Sequence, residues 1–460
     1  MRTETVIKAV NSIARVSMKG RQVNGLFRLM TNPDVLWKQA YANIYPNKGA
    51  ITQGVNKNTL DGFSEERVNH LIGMLVTRRY CPKSVRRADI PKKNGKLRPL
   101  GIPTGNDKLV QEVVRILLER VYEPIFSRYS HGFRPRKSCH TALRQICDVW
   151  AGTKWIIEFD IKGFFDNINH AKLIDILEKK IDDKRIINII RKMLKAGYME
   201  DWHFNKTWSG TPQGGVISPL LANIYLHELD MFMENMMLQF NKGKRRKHNP
   251  EYALIGSRMQ TANQKLQRLK MGLKCYNPAD NTREKLLRKR RELQKQMHKI
   301  PSVDLFDPDY RRLRYARYAD DFIIGVIGSR KDAELVMQQV KAFLENELFL
   351  EAATDKTCIK SARKGVRFLG YDVKVYSGEK LKKQICGHGT CLKMTIVQRM
   401  QVQTPQEKLL QYASKKSYGN IAAFKPVSRP ELLQRSDLEI LLAYNAEMRG
   451  SELLQPCSKI

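Results

Sequence analysis

Apolar residues recur at helical spacing through Val6 to Val16 and again through Val68 to Leu75, so residues 1–80 are predicted to be mainly helical. An irregular stretch from Pro46 to Gly62 interrupts them. The period then shortens. Residues 88–102 read as two short extended runs about Asn94-Gly95, a pair that accepts the positive φ of a tight hairpin turn. Helical spacing returns in Leu109 to Val121, and Trp155 to Ile161 is a short apolar run of β-preferring residues, read as a strand. Further helices are predicted from about Ala171 to Lys180 and from Val216 to Met233. Tyr315 to Ile327 reads as strand, tight turn, strand, with Ala319-Asp320-Asp321 at the turn.

Charge changes the picture more than composition does. Of 460 residues, 82 are Lys or Arg and 46 Asp or Glu, a formal net charge of +36, while 42% hydrophobic residues suffice for globular folding. So large a positive excess, spread over several segments, points to a polyanion and above all to nucleic acid. Residues 241–300 concentrate it: 18 Lys or Arg against 4 Asp or Glu, with Lys244, Arg245, Arg246 and Lys247 in one run. The segment reads as a helical, phosphate-binding insertion, because charge of one sign at this density repels itself without a counter-anion. No apolar run approaches the ~18 residues that would cross a bilayer. Met1 to Lys19 lacks the core of a signal peptide. Eight cysteines, mostly far apart, read as reduced thiols of a cytosolic protein, Cys139 and Cys147 among them as core thiols.

Asp320 and Asp321 form the most informative pair. They lie between Arg317-Tyr318-Ala319 and Phe322-Ile323-Ile324, an apolar setting in which adjacent carboxylates repel and resist ionisation unless something positive neutralises them. Asp160 ends another apolar strand. Two strands bringing it beside Asp320 would build a carboxylate cluster suited to Mg²⁺, and two such ions can activate a 3′-hydroxyl and stabilise departing pyrophosphate. Gly210 to Pro219 is rich in Gly and Pro and precedes a helix, so its backbone can approach a ligand closely. Lys92, Lys93, Lys96 and Arg98 crowd the hairpin and could grip a triphosphate. A two-residue turn puts Lys93 on the face of Lys96 and Arg98; a three-residue turn puts Lys92 there. Phe164 and Phe165 stack on a sugar or fill the core.

Six segments, in order, carry a resemblance. They are Arg98 to Pro103, His131 to Cys139, Phe159 to Ile168, Gly210 to Asn223, Tyr318-Ala-Asp-Asp321 and Phe368-Leu-Gly-Tyr371. With them the chain resembles the reverse transcriptases encoded by bacterial-type group II introns, the maturase family. The resemblance implies an α+β right-hand polymerase. Residues 1–80 would be a helical extension of the fingers, 81–372 the fingers and an antiparallel-sheet palm carrying the 241–300 insertion, and 373–460 a helical, incomplete thumb or maturase region. It implies catalysis by Asp160, Asp320 and Asp321, with Asp160, Ile161, Asp320 and Asp321 as the set for two Mg²⁺ ions. It further implies dNTP binding by Lys92, Arg98, Phe164, Phe165, Pro212, Gln213 and Gly214, and a primer grip at Phe368, Leu369, Gly370 and Tyr371. The implied partners are intron RNA as template, a DNA or RNA primer and dNTPs, with no membrane, in a bacterial cytoplasm. Lys244 to Lys247 would contact RNA. Ser436 to Gly450 resembles the thumb or maturase region; the resemblance ends there, and a C-terminally truncated chain without DNA-binding and endonuclease segments is expected. The competing expectations are a non-enzymatic RNA-binding splicing factor and a reverse transcriptase of another retroelement or phage-defence system.

Overall fold

In the computed structural model the described residues are all except 1–2, 48, 92–94, 96, 201–202, 206–209, 211–213, 272–281, 306, 387–388, 421 and 453–460. Helices Thr3–Met18, Leu26–Met30 and Leu36–Ile44 pack on a central helix, Gly105–Tyr122. Their apolar faces (Val6, Ile13, Leu26, Trp37) meet Leu109, Val113 and Leu117 in one cluster, which also takes Val68 and Leu71 of helix Glu65–Val76. Thr104 and Ser64 cap the starts of the last two by accepting from the backbone N–H of Asp107 and Arg67. The N-terminal region is helical, as its periodicity predicts.

The hairpin about Asn94-Gly95 is present as strands Val85–Pro91 and Leu97–Ile102, which pair antiparallel. Val85–Pro91 also runs parallel to Tyr198–Glu200. A two-residue turn at 94–95 would pair Pro91 with Arg98. The observed pairing is Pro91 with Leu97, the odd parity that the implied role of Lys92 requires.

The sheet that matters for function is antiparallel throughout, in the order Arg312–Tyr318, Asp321–Ile327, Trp155–Phe159, Cys358–Ser361. Both of its faces are covered. Ile157, Phe159, Tyr315, Phe322 and Ile324 point into the main core, with helices Ser218–Phe240 and Arg330–Leu348. Ile156, Ala316 and Ile323 point the other way, onto Leu143, Ile146 and Trp150 of the segment from helix Cys139–Val149. Burial on two faces explains why the central strands Trp155–Phe159 and Asp321–Ile327 read as nearly continuous apolar runs, whereas Arg312–Tyr318 at the sheet edge intersperses Arg with apolar residues.

The 241–300 insertion contains two basic helices, Pro250–Lys270 and Thr282–Met297, packed on each other. Residues 373–460 open with a long antiparallel hairpin, Tyr371–Cys386 with Gly389–Gln403, before helices Gln406–Lys415 and Asp437–Glu452. The hairpin roots itself through Val373, Val375, Met400 and Val402, alternate residues buried beneath the sheet. Among the described residues Cys147 departs from the expectation of reduced thiols, being disulfide-bonded, while Cys81, Cys139 and Cys358 are free.

Candidate active site

The register of the central strands decides where the carboxylates fall. Phe159 pairs with Phe322, their rings stacked at 4.7 Å, so the next residues along, Asp160 and Asp321, emerge side by side at one end of the sheet. Asp320 sits in the two-residue turn between Tyr318 and Asp321, which pair across it. Ala319 in that turn has φ 56°, a left-handed conformation uncommon for a residue with a Cβ. The three candidate catalytic residues are thus brought together.

Their electrostatics follow from this crowding. Solvent reaches Asp321 at the strand end, yet the surrounding protein strips most of its hydration. That desolvation, then Asp320 and Asp160, push its carboxyl up to about 6 against the pull of Lys356. Lys356 supplies the positive charge here: its Nζ donates to Asp160 Oδ2 at 2.7 Å. The main chain delivers it. Ile161 bridges Ala352, and Ala353 N–H donates to the Asp160 carbonyl at 2.8 Å, so the turn after residue 353 carries Lys356 over the carboxylate. Among the described residues no three ligating side chains close around a common point. The donor set nevertheless fits hard divalent cations: carboxylate oxygens only, mutually repelling, partly open to solvent, with an ammonium group already drawn to one of them. Sequence reading did not find Lys356, which lies 196 residues from Asp160 in an unremarkable polar stretch.

Of the candidate dNTP residues, Phe164 is buried and Phe165 half-buried, edge to face at 5.3 Å. They open a short helix, Phe164–Asn167, entered through Gly163 at φ 53°. The Gly-rich segment spans from this helix to the hairpin. A Cβ on Gly210 would lie 2.7 Å from the Phe165 carbonyl, and one on Gly214 (φ 111°) would lie 2.7 Å from both Leu100 Cδ1 and the Gly101 carbonyl. Only a residue without a side chain fits either approach. Arg98 pairs with Ile90 in the hairpin, its side chain outside the description; Lys92, Pro212 and Gln213 lie outside the described residues.

Phe368 pairs with Tyr371 around Leu369 (φ 51°) and Gly370 (φ 81°), a two-residue turn with positive φ at both positions. Leu369 and Tyr318 pack against one cluster, which holds Phe368 and Tyr371 of this turn together with Ala316 and Ile323 of the catalytic hairpin. Lys408, unanticipated from sequence, donates to the Gly370 carbonyl at 2.6 Å and lies over the Tyr371 ring. The run 244–247 is not uniformly free. Lys247 pairs with Asp309 at 2.6 Å and Arg246 packs over Tyr310, while Lys244 and Arg245 are exposed.

Comparison with known proteins agrees with this geometry. The family described as "Reverse transcriptase (RNA-dependent DNA polymerase)" matches residues 90–242, which include Asp160 and the Gly-rich segment. The group II intron-encoded protein LtrA of Lactococcus lactis subsp. cremoris is 42% identical over 430 residues, covering 92% of this chain and 69% of LtrA. Protein YkfC of Escherichia coli K12 is 33% identical over 76% of this chain and 83% of its own length. A putative COX1/OXI3 intron 1 protein of Saccharomyces cerevisiae is 36% identical over 76% of the chain and 40% of its own length. As a reverse transcriptase the protein is a metal-dependent nucleotidyltransferase whose partners are an RNA template, a primer and dNTPs. No helix among the described residues is long and apolar enough to cross a membrane. The chain belongs to the group II intron-encoded reverse transcriptases and is an intron-associated RNA-directed DNA polymerase.

Proposed function

We propose that Asp160, Asp320 and Asp321, with the main-chain carbonyl of Ile161, hold two Mg²⁺ ions at which dNTPs are added to a primer 3′-hydroxyl. When bound, such ions ease ionisation of the hydroxyl and take up charge on the departing pyrophosphate. The observation that carries this reading is the meeting of three carboxylates at one sheet end, where burial and mutual repulsion raise the Asp321 carboxyl and call for cations. The Lys356 ammonium, which donates to Asp160 Oδ2, is the group an arriving ion would displace.

In this reading Lys92, Arg98, Pro212, Gln213 and Gly214 bind the incoming dNTP, with Phe164 or Phe165 beneath its ribose. The approach of Gly214 to Leu100 and of Gly210 to Phe165 supports it, because one segment then ties the basic hairpin to the residues beside Asp160. The turn Phe368 to Tyr371 holds the primer end, and Lys244 to Lys247 with the insertion 241–300 hold RNA. Residues 1–80 extend the fingers, 81–372 form fingers and palm, and 373–460 serve as a thumb or maturase region. The protein also acts as a maturase in a bacterial cytoplasm, binding its intron RNA to assist splicing and mobility; relatives named as an intron-encoded protein, an intron protein and an intron maturase support this.

Primer extension on an RNA template with Mg²⁺, with and without intron RNA, tests the reading. Extension by the wild-type chain and none by Asp320→Asn is expected. Extension by that variant within a few-fold of wild type would overturn it.

A further inference from the structure

Behind the catalytic turn lies a polar cluster with no access to solvent. Arg317, Asp230 and Ser130 are fully buried, and Asn223 nearly so. The Arg317 guanidinium spends all five of its N–H groups there. Nε donates to Asp230 Oδ1 at 2.8 Å and Nη2 to Asp230 Oδ2 at 2.6 Å. Nη2 also donates to Ser130 Oγ at 2.8 Å, and Nη1 to Asn223 Oδ1 at 3.0 Å. The fifth bond runs from Nη1 to the carbonyl of Ala319 at 2.8 Å.

That last acceptor sets this cluster apart from an ordinary buried ion pair. Ala319 is the left-handed residue immediately before Asp320. Its N–H side is held too: the backbone of Gly132 comes so close that a Cβ there would lie 2.3 Å from Ala319 N. Asn223 Nδ2 fixes Gly132 by donating to its carbonyl at 2.7 Å. The cluster is rooted in a long helix, since Asn223 and Asp230 both project from Ser218–Phe240.

We propose that the Arg317–Asp230 pair is a positioning device for the metal-holding turn, fixing the Ala319 carbonyl and so the placement of Asp320 and Asp321 relative to Asp160. The proposal rests on those carboxylates binding the metal. The residue type suits the task, because a planar fork of five donors can grip a carboxylate, an amide, a hydroxyl and a carbonyl at once, which an ammonium group cannot. A buried pair of this kind is often replaceable by apolar residues without loss of stability, so stability alone does not call for it.

The test separates position from folding. In an apolar replacement, Arg317→Met with Asp230→Leu, Tyr315→Phe is added because the Tyr315 hydroxyl otherwise loses its acceptor, Asp230 Oδ1. Arg317→Lys, which keeps the buried charge, is the second variant and carries the test if the triple variant does not fold. Mn²⁺ binding is measured calorimetrically without nucleic acid, alongside thermal melting and extension per folded molecule. Roughly 10–100-fold weaker Mn²⁺ binding is expected in a cooperatively folded variant, as for lost outer-shell support of a metal site. Extension should fall by about 100-fold, the scale of an ångström-sized misplacement. Asp320→Asn is the reference. If it loses Mn²⁺ binding while the Arg317 variants bind as wild type, the positioning role is overturned and the metal site stands. If Asp320→Asn itself binds as wild type, the metal reading falls and the positioning role with it.

Discussion

At Asp160, Asp320 and Asp321 the sequence shows its chemistry because each carboxylate interrupts an apolar run that has no other use for a charge. Replacing Asp160 or Asp320 by Asn keeps the shape and removes the negative oxygens, so extension should be abolished. RNA affinity, which comes from distant Lys and Arg, should stay unchanged. Filter binding beside primer extension checks both halves, and a parallel fall in RNA affinity would contradict the division. Lys356 and Arg317 were not legible in this way: their acidic partners lie far along the chain, and strand pairing brings Lys356 to Asp160 while packing of helix Ser218–Phe240 on the sheet brings Asp230 to Arg317. The Gly-rich segment is an intermediate case. Its composition announces a close backbone approach, whereas what it approaches is visible only in three dimensions. Gly214→Ala adds a Cβ at φ 111° against Leu100 and Gly101, and strain of this sort costs roughly 1–3 kcal/mol. The expected outcome is a lower melting temperature and a raised KM for dNTP; an unchanged KM would place the glycine outside the nucleotide site.

Among elements, the palm strands and long helices could be read from the chain because burial on both faces or on one stripe leaves a periodic trace. The hairpin Tyr371–Cys386 with Gly389–Gln403 left little. Among the described residues the buried positions lie at its root, and in the sequence the charged stretch around Lys380, Lys382, Lys383 and Lys393 hides the alternation. The packing beyond it turns on one carboxylate. Glu447 of helix Asp437–Glu452 accepts from Arg429 Nη1 at 2.9 Å, Tyr418 Oη at 2.8 Å and Lys416 Nζ at 3.1 Å. Burial alone would raise its carboxyl; these three donors outweigh that and hold it at about 2, below the ordinary 4.5 of glutamate. A folded-state value below the unfolded one stabilises the fold above about pH 4.5, and that stabilisation is lost as pH falls toward 2. Protection of residues 437–447 against hydrogen exchange, taken relative to the intrinsic rate at each pH, should therefore fall across this interval before that of the palm strands does. Glu447→Gln should bring the same loss of protection at neutral pH, with a local loss of about 1–3 kcal/mol for bonds to a charged group. Equal protection in wild type and variant would show that apolar contacts alone dock the helix.

Over the whole molecule the dominant fact is the net charge of +36, and its consequence is an affinity for RNA that depends steeply on salt. How the charge is used differs from residue to residue in a way that composition conceals. In the run after helix Ser218–Phe240, the Lys247 ammonium is spent on Asp309, which Lys242 also contacts, and Arg246 is packed over Tyr310. Lys244 and Arg245 are exposed, and the two helices of the insertion carry most of the remaining cations of 241–300. If the exposed groups meet phosphate, each contact contributes roughly −0.7 to −0.9 to the slope of log affinity against log salt. Lys244→Gln with Arg245→Gln should then reduce the magnitude of that slope by about one to two units and weaken binding at low salt, leaving extension on a saturating template unchanged. Lys247→Gln should behave differently, changing the slope little because its charge is already matched by Asp309 in the free protein. Titrations of intron RNA at several salt concentrations distinguish the two variants. Equal slopes for Lys244→Gln with Arg245→Gln and for wild type would mean that this run faces solvent and that the RNA lies along the helices of the insertion or elsewhere on the basic surface.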